Sequence, residues 1–114
     1  MTERSSAADF SIGEMMEMQR VLQEKYKGRW EPISPETGKN KLLWMVSEVG
    51  EVVDIVKKDG HGRIMEDEAV RRHFVEEMAD VLMYFNDMRL CYGLTPEELK
   101  TAYTEKFQRN LTRW

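Results

Sequence analysis

Residues 40–58 read NKLLWMVSEVGEVVDIVKK, and this stretch decides the fold. Its apolar residues recur at helical spacing and form a main stripe: Leu42, Met45, Val46, Val49, Val52, Val53 and Val56. Trp44 and Ile55 add apolar surface on a second side. A helix that is hydrophobic around most of its circumference lies at the centre of a fold. We therefore predict a central helix two, from about Asn40 to Lys58, ending at Asp59-Gly60.

Two acidic pairs lie in apolar surroundings, Glu48 with Glu51 and Glu77 with Asp80. The members of each pair are three residues apart and share a helix face. Helical spacing puts Glu77 in the middle of an apolar stripe and Asp80 at its edge. Carboxylates about 4 Å apart repel by roughly 4 kcal/mol at an effective dielectric constant near 20, so they need protonation or a cation. Together the four favour a site for a hard divalent cation, although either pair alone is also typical of a solvated helix.

The chain before this helix predicts a helix and a loop. Ser11 to Glu14 read as a capping box that opens helix one, which runs to about Gly28. Residues 29–39 carry two prolines and a glycine and are predicted to be a loop that can fold over a ligand. Trp30 in this loop is either a core residue or a lid that stacks on a base.

The chain after it predicts two more helices. A polar connection at residues 61–65 leads to helix three, from about Asp67 to Tyr92. Thr95-Pro96-Glu97-Glu98 combines an N-cap, a proline at the first helical position and a capping-box glutamate, so it opens helix four. No segment alternates convincingly between apolar and polar residues. The 114 residues are therefore predicted to form a single all-α domain of four principal helices.

Composition limits the partners and the compartment. A net charge of −4 gives no general attraction for nucleic-acid backbones or anionic membranes. No stretch has the apolar length of a transmembrane helix, the amino terminus is polar, and the lone cysteine, Cys91, fits a reducing compartment. We expect a cytoplasmic protein with no membrane and no nucleic-acid polymer as partner. Helices two and three carry surplus apolar surface, so we expect a second copy to cover it in an obligate homodimer.

The order of these motifs resembles the MazG-type nucleotide pyrophosphohydrolases of the all-α NTP pyrophosphatase superfamily. The resemblance covers about residues 40–114 and rests on LLWMV before the first acidic pair and EEMADVLMY around the second. It implies a four-helix bundle-like fold completed by homodimerisation, or by a dimer of dimers. It also implies hydrolysis of nucleoside or deoxynucleoside triphosphates to the monophosphate and pyrophosphate, as nucleotide-pool house-cleaning. The implied cofactor is Mg²⁺, with Mn²⁺ as a substitute.

The resemblance also assigns roles to single residues. Glu48, Glu51, Glu77 and Asp80 match the metal ligands, and Glu48 or Glu51 is the candidate catalytic base. Ser47 stands where many members have a first glutamate. The residues that match substrate contacts are Tyr84 near the nucleotide and Lys106, Asn110 and Arg113 at the phosphates. The last three are equally interpretable as surface or helix-end residues, and Trp30 is a further candidate contact from its place in the loop.

Three other classes of function fit the sequence less well. A nucleotide-binding regulatory or sensor dimer with weak catalysis is the alternative, and Ser47 supports it. A di-iron carboxylate protein needs two Glu-x-x-His pairs, which this chain lacks. A nucleic-acid-binding module needs a basic stripe with interleaved aromatic residues, which no helix shows. His73 lies on the Glu77 face and is interpreted as a core histidine in preference to a base contact or a partner of a metal ligand.

Overall fold

The structure, a computed structural model, describes residues 9–114. The helices in this range are α1 (Ile12–Lys25), α2 (Gly38–Glu66), α3 (Glu68–Cys91) and α4 (Pro96–Arg113), and a short 3-10 helix at Pro35–Thr37 precedes α2. The only β-type pairing among these residues is an isolated bridge between Lys27 and Trp30. The prediction of an all-α chain with four principal helices is confirmed.

The caps of α1, α3 and α4 follow the sequence signals. Ser11 Oγ accepts a hydrogen bond from the backbone N–H of Glu14 at 3.0 Å, and Glu14 Oε1 accepts one from the backbone N–H of Ser11 at 2.6 Å. Thr95 and Glu98 repeat this exchange at 3.0 and 2.9 Å. Gly93 follows α3 with a φ of 63°, a left-handed conformation that favours glycine. These three boundaries are therefore set by local chemistry.

The predicted polar connection at residues 61–65 is wrong, because these residues are helical. Gly60 has a φ of 77° and a ψ of 166°, so the helix does break where helix two was predicted to end. It resumes at once and continues to Glu66. The Arg63 guanidinium donates to Asp59 Oδ1 at 2.8 Å, which joins the segments on the two sides of the break. Because the Arg63 side chain is 59% exposed, this pair contributes at most about 1 kcal/mol, and the same segment also buries Ile64.

Helices α2 and α3 form an antiparallel hairpin with Asp67 between them. Asp67 Oδ1 accepts hydrogen bonds from the backbone N–H groups of Ala69 and Val70 at 3.0 and 3.1 Å, and these bonds begin α3. The ring of Trp44 on α2 lies 6.0 Å from the ring of Tyr84 on α3. Helix α1 packs against α3. This three-helix body positions the candidate site.

Buried polar groups hold α1 to α3. The Arg89 side chain is 1% exposed and donates from Nη1 to the carbonyl oxygen of Ile12 at 2.9 Å and to Asn86 Oδ1 at 2.7 Å. Cys91 is buried at the end of α3. The start of α1 is therefore fixed to the end of α3 by a charge-assisted hydrogen bond.

Much apolar surface is uncovered in the single chain. All residues from 100 to 114 are exposed, and α4 makes no extensive packing with another described helix. Four apolar side chains of this segment are more than half exposed: Tyr103, Phe107, Leu111 and Trp114. Much of the main stripe of α2 is exposed as well: Leu42, Val46, Val49, Val53 and Val56. Within residues 9–114, no helix is long and apolar enough to cross a membrane.

Candidate functional site

Three carboxylates meet between α2 and α3. One oxygen each from Glu48, Glu77 and Asp80 lies within 4.8 Å of the other two, and all three residues are partly buried. Oxygens on opposite sides of a magnesium ion are about 4 Å apart, so a shift of less than about 1 Å would bring these atoms to ligating distance. The donor set, all carboxylate oxygen, is the kind that hard cations prefer. Three of the four predicted ligands are thus brought together.

Burial and mutual repulsion disfavour the ionised forms of the carboxyl groups in this cluster. Burial raises the pKa of Glu48, and the neighbouring Glu77 carboxyl raises it further by hydrogen bonding to the protonated form. The charges of Asp80, Glu77 and Glu51 act in the same direction. Burial also raises the pKa of Asp80, followed by the charge of Glu77. A divalent cation would remove this penalty, because it favours the ionised form of each ligand.

Glu51, the fourth predicted ligand, lies apart from the other three. It follows Glu48 by three residues on α2 and is exposed, and it is not among the carboxylates that converge. Its charge still reaches Glu48 and raises the pKa of that group. Its assignments as a ligand and as a catalytic base stay predictions.

His73 is not a core histidine, and that interpretation is wrong. Its side chain is 62% exposed, and Nε2 lies 3.4 Å from Glu77 Oε1, one turn further along α3. The Glu77 side chain is 18% exposed. The histidine therefore sits on the solvent side of the carboxylate cluster, where its ring contacts one of the cluster's oxygens.

A cavity of about 540 Å³ adjoins the cluster and opens to solvent. Glu48 and Asp80 border it, as do three aromatic side chains, Trp30, Trp44 and Tyr84. The remaining lining residues come from α1, the following loop, α2 and α3: Gln19, Leu22, Gln23, Arg29, Glu31, Lys41, Met83 and Asp87. Flat aromatic surfaces beside a cation site fit a ligand that combines a ring with an anionic group.

The aromatic walls are held in place. Trp30 stacks on Tyr26 with ring centroids 4.5 Å apart and is 42% exposed, so it is a partly covered wall of the cavity rather than a core residue. Burial raises the pKa of Tyr84, and the charges of Glu48, Asp87 and Asp80 raise it further. The Tyr84 hydroxyl therefore stays protonated at neutral pH and can donate a hydrogen bond.

Sequence reasoning missed the polar end of this cavity. Asp87 Oδ1 accepts hydrogen bonds from Gln19 Nε2 and Gln23 Nε2, each at 2.9 Å, and Lys41 also borders the cavity. All four side chains are on helix faces that the sequence shows: Gln19 and Gln23 are four residues apart, Lys41 precedes Glu48 by seven residues, and Asp87 follows Asp80 by seven. The available signal was this spacing, which places Lys41 on the face of Glu48 and Asp87 on the face of Asp80.

The predicted phosphate contacts on α4 are not at the site in the single chain. Lys106, Asn110 and Arg113 are exposed, and none of them borders the cavity. The Arg113 guanidinium lies 4.9 Å from the ring centroid of Trp114. Ser47 is exposed on α2 and does not line the cavity. No protein-family model, curated protein or solved structure matches the chain.

Proposed function

We propose that this protein is a magnesium-dependent nucleoside triphosphate pyrophosphohydrolase, which produces the monophosphate and pyrophosphate. One observation carries the proposal: the carboxylates of Glu48, Glu77 and Asp80 converge, and two of them, Glu48 and Asp80, border a cavity walled by Trp44 and Tyr84. A cation site next to aromatic surfaces suits a molecule with a phosphate chain at one end and a base at the other. The residue pattern that resembles MazG-type enzymes supports the same activity.

The chemistry needs little beyond these side chains. When bound, Mg²⁺ supplies positive charge to the phosphate oxygens and lowers the pKa of the attacking water. Glu48, Glu77 and Asp80 would hold it, and Mn²⁺ would substitute because it has similar oxygen preferences. Glu48, whose pKa is raised, or the exposed Glu51 accepts the proton of the water. Trp30 and Tyr84 orient the base end of the substrate.

The proposed assembly is a homodimer, or a dimer of dimers. The apolar side chains on α4 and the exposed part of the main stripe of α2 are uncovered within one chain. Their exposure favours burial against a second copy. Lys106, Asn110 and Arg113 lie on the same projecting helix. In such a dimer, phosphate contacts from these residues would come from α4 of the other chain or from an α4 repositioned by assembly.

Phosphorus NMR of the protein with excess magnesium and a panel of NTPs and dNTPs tests the activity. We expect monophosphate and pyrophosphate from the native chain and none from Glu77→Gln. Glu76→Gln is the matched control, because Glu76 is the preceding residue and is exposed outside the cluster. It should hydrolyse the substrates at the native rate.

Two outcomes would contradict the proposal. Orthophosphate and a diphosphate would show attack at the γ-phosphorus, with the cation site intact but the reaction different. Metal-dependent nucleotide binding without turnover would favour the regulatory or sensor dimer, and Ser47→Glu would then test whether the missing glutamate accounts for the lost activity.

A further inference from the structure

Lys41 is a buried cation without an anionic partner in the part of the chain that the structure describes. Its side chain is 2% exposed, and its ammonium forms no hydrogen bond or ion pair within 4.0 Å among residues 9–114. The ammonium lies 4.9 Å from the ring centroid of Trp44. Because Nζ is not among the buried nitrogens that lack a partner, it keeps some accessible surface, and Lys41 borders the cavity. Since Lys41 borders the cavity, a ligand there can supply the missing acceptor.

Asp87 is the complementary group at the same end. It is 4% exposed, and its Oδ1 is occupied by the two glutamine amides at 2.9 Å. Its Oδ2 accepts no hydrogen bond from any described residue, and it is not among the fully buried oxygens without a partner, so it retains some accessible surface. Burial raises the pKa of Asp87, and the two glutamine hydrogen bonds and the charge of Lys41 act in the opposite direction, yet Lys41 and Asp87 form no ion pair. A donor and an acceptor thus border one cavity without satisfying each other.

The spacing from the carboxylate cluster fits the length of a nucleotide. Lys41 and Glu48 lie seven residues apart on one face of α2, which is about 10 Å along the helix at 1.5 Å per residue. Asp87 and Asp80 have the same separation on α3. Trp44 and Tyr84 lie between the two levels. The cavity therefore has a carboxylate end for a cation and phosphates, aromatic walls, and a polar end at the distance of a base.

We propose that Lys41 and Asp87 together recognise the lactam edge of a nucleobase, so that the site takes guanine, hypoxanthine, uracil or thymine in preference to adenine or cytosine. This inference rests on the proposed function, whose substrate it specifies. In a lactam, a carbonyl oxygen stands beside a ring N–H. Lys41 donates to the oxygen, and the Asp87 carboxylate accepts from the N–H.

The preference follows from the reversed polarity of the other bases. Adenine and cytosine carry an amino group where the lactam has its oxygen, and a lone pair where it has its N–H. The amino group would face the Lys41 ammonium, and the lone pair would face the Asp87 carboxylate. Both polar groups of the protein would then be left without a partner, which is how a hydrogen-bonding site rejects a close analogue by a large factor.

The test is binding of non-hydrolysable α,β-imido analogues at pH 8 with magnesium, followed by tryptophan fluorescence. The analogues of dUTP and dCTP form one matched pair, and those of dGTP and dATP form the other. We expect the lactam member of each pair to bind at least tenfold more tightly. Lys41→Met keeps the packed stem of the side chain and should reduce the preference to within about threefold, mainly by weakening the lactam ligand. Lys39→Met, an exposed lysine on the same helix, is the control and should keep it.

Asp87→Asn is the second variant, because its carbonyl oxygen can keep both glutamine contacts and preserve the fold. It presents an N–H where the carboxylate had an acceptor, so it should abolish or reverse the preference. Equal affinities in the native chain, preference for the amino bases, or a preference that survives both substitutions would overturn the inference. Hydrolysis of both members at equal rates, abolished by Glu77→Gln, would sink the inference and leave the proposed function standing. Selective binding without hydrolysis would support the inference about the base and contradict the proposed function.

Discussion

Glu48 on α2 and Asp80 on α3 hold carboxylate oxygens within 4.8 Å of each other, and the pKa of each is raised. In both residues burial is the largest cause, followed by the adjoining carboxyl groups. The pair therefore opposes folding when it is ionised and unpaired. The same arrangement provides the ligands for a divalent cation. Functional sites commonly reduce the stability of the free protein in this way.

The metal-free protein should lose stability as the pH rises above the ordinary carboxyl range, about pH 4. Because the folded-state pKa values of Glu48 and Asp80 are raised, the folded chain binds more protons than the unfolded chain in this interval. The free energy of unfolding then falls as the pH increases through the raised values. Urea unfolding in EDTA across this pH range measures the effect, and Glu48→Gln should flatten it. A slope of opposite sign would contradict the placement of these groups.

Glu48→Gln should also stabilise the metal-free protein at pH 7 while abolishing hydrolysis. The substitution removes one charge from the cluster and keeps the size of the side chain. An increase of about 1 kcal/mol would raise the melting temperature of a domain of this size by roughly 4 °C. Asp54→Asn is the control, because Asp54 is exposed on the same helix and is outside the cluster. A lower melting temperature for Glu48→Gln would show that its carboxylate is compensated in some other way.

Magnesium should raise the melting temperature, and the increase should grow with pH. Binding requires ionised ligands, so protons are released from the carboxyl groups whose pKa is raised. Thermal unfolding with and without about 10 mM magnesium at several pH values measures this dependence. The native chain should respond, and Glu77→Gln and Asp80→Asn should not. An equal response in these variants would place the cation elsewhere.

Arg89→Ala should destabilise the fold by about 3 kcal/mol or more, because it removes a buried side chain and leaves the Ile12 carbonyl and Asn86 Oδ1 without their donor. Chemical unfolding measures the change. Arg20→Ala, at an exposed arginine paired with Glu17 on α1, should cost less than about 1 kcal/mol. Similar losses for the two variants would mean that the Arg89 contacts contribute little.

Phe107→Glu should lower the mass of the protein in solution to that of one chain. Phe107 is 53% exposed on the uncovered face of α4, and a carboxylate there cannot be buried against a second copy. Light scattering after size-exclusion chromatography gives the mass. Thr101→Glu places the same charge about 120° away around the helix and should leave the assembly unchanged. A native chain that is already monomeric would refute the proposed dimer.

The helices could be predicted because their ends carry local chemistry. The reciprocal bonds of Ser11 with Glu14, and of Thr95 with Glu98, need only neighbouring residues. Residues 61–65 could not be predicted in the same way. Their composition is mostly polar and Gly60 does break the helix, but the helix resumes beyond it with Ile64 buried and Arg63 paired with Asp59. A glycine marks a break in a helix but does not determine whether the helix resumes beyond it.

The site was predictable where spacing and chemistry coincide. Glu48, Glu77 and Asp80 converge as the acidic pairs predict, whereas Glu51 is exposed and is not among the carboxylates that converge. Lys41 could not be singled out from the sequence, because the chain has several lysines. Its significance comes from tertiary burial at 2% exposure, which α1, the loop and α3 create together.

The single residue Asp67 between α2 and α3 has a consequence for the order of folding. All three converging carboxylates belong to this one hairpin, and their contacts join residues at most 32 positions apart. Contacts of such short sequence separation cost little loop-closure entropy and form early in folding. The acidic side chains therefore begin to repel one another while the hairpin is still forming. Divalent cations present during synthesis should for this reason accelerate folding as well as stabilise the folded protein.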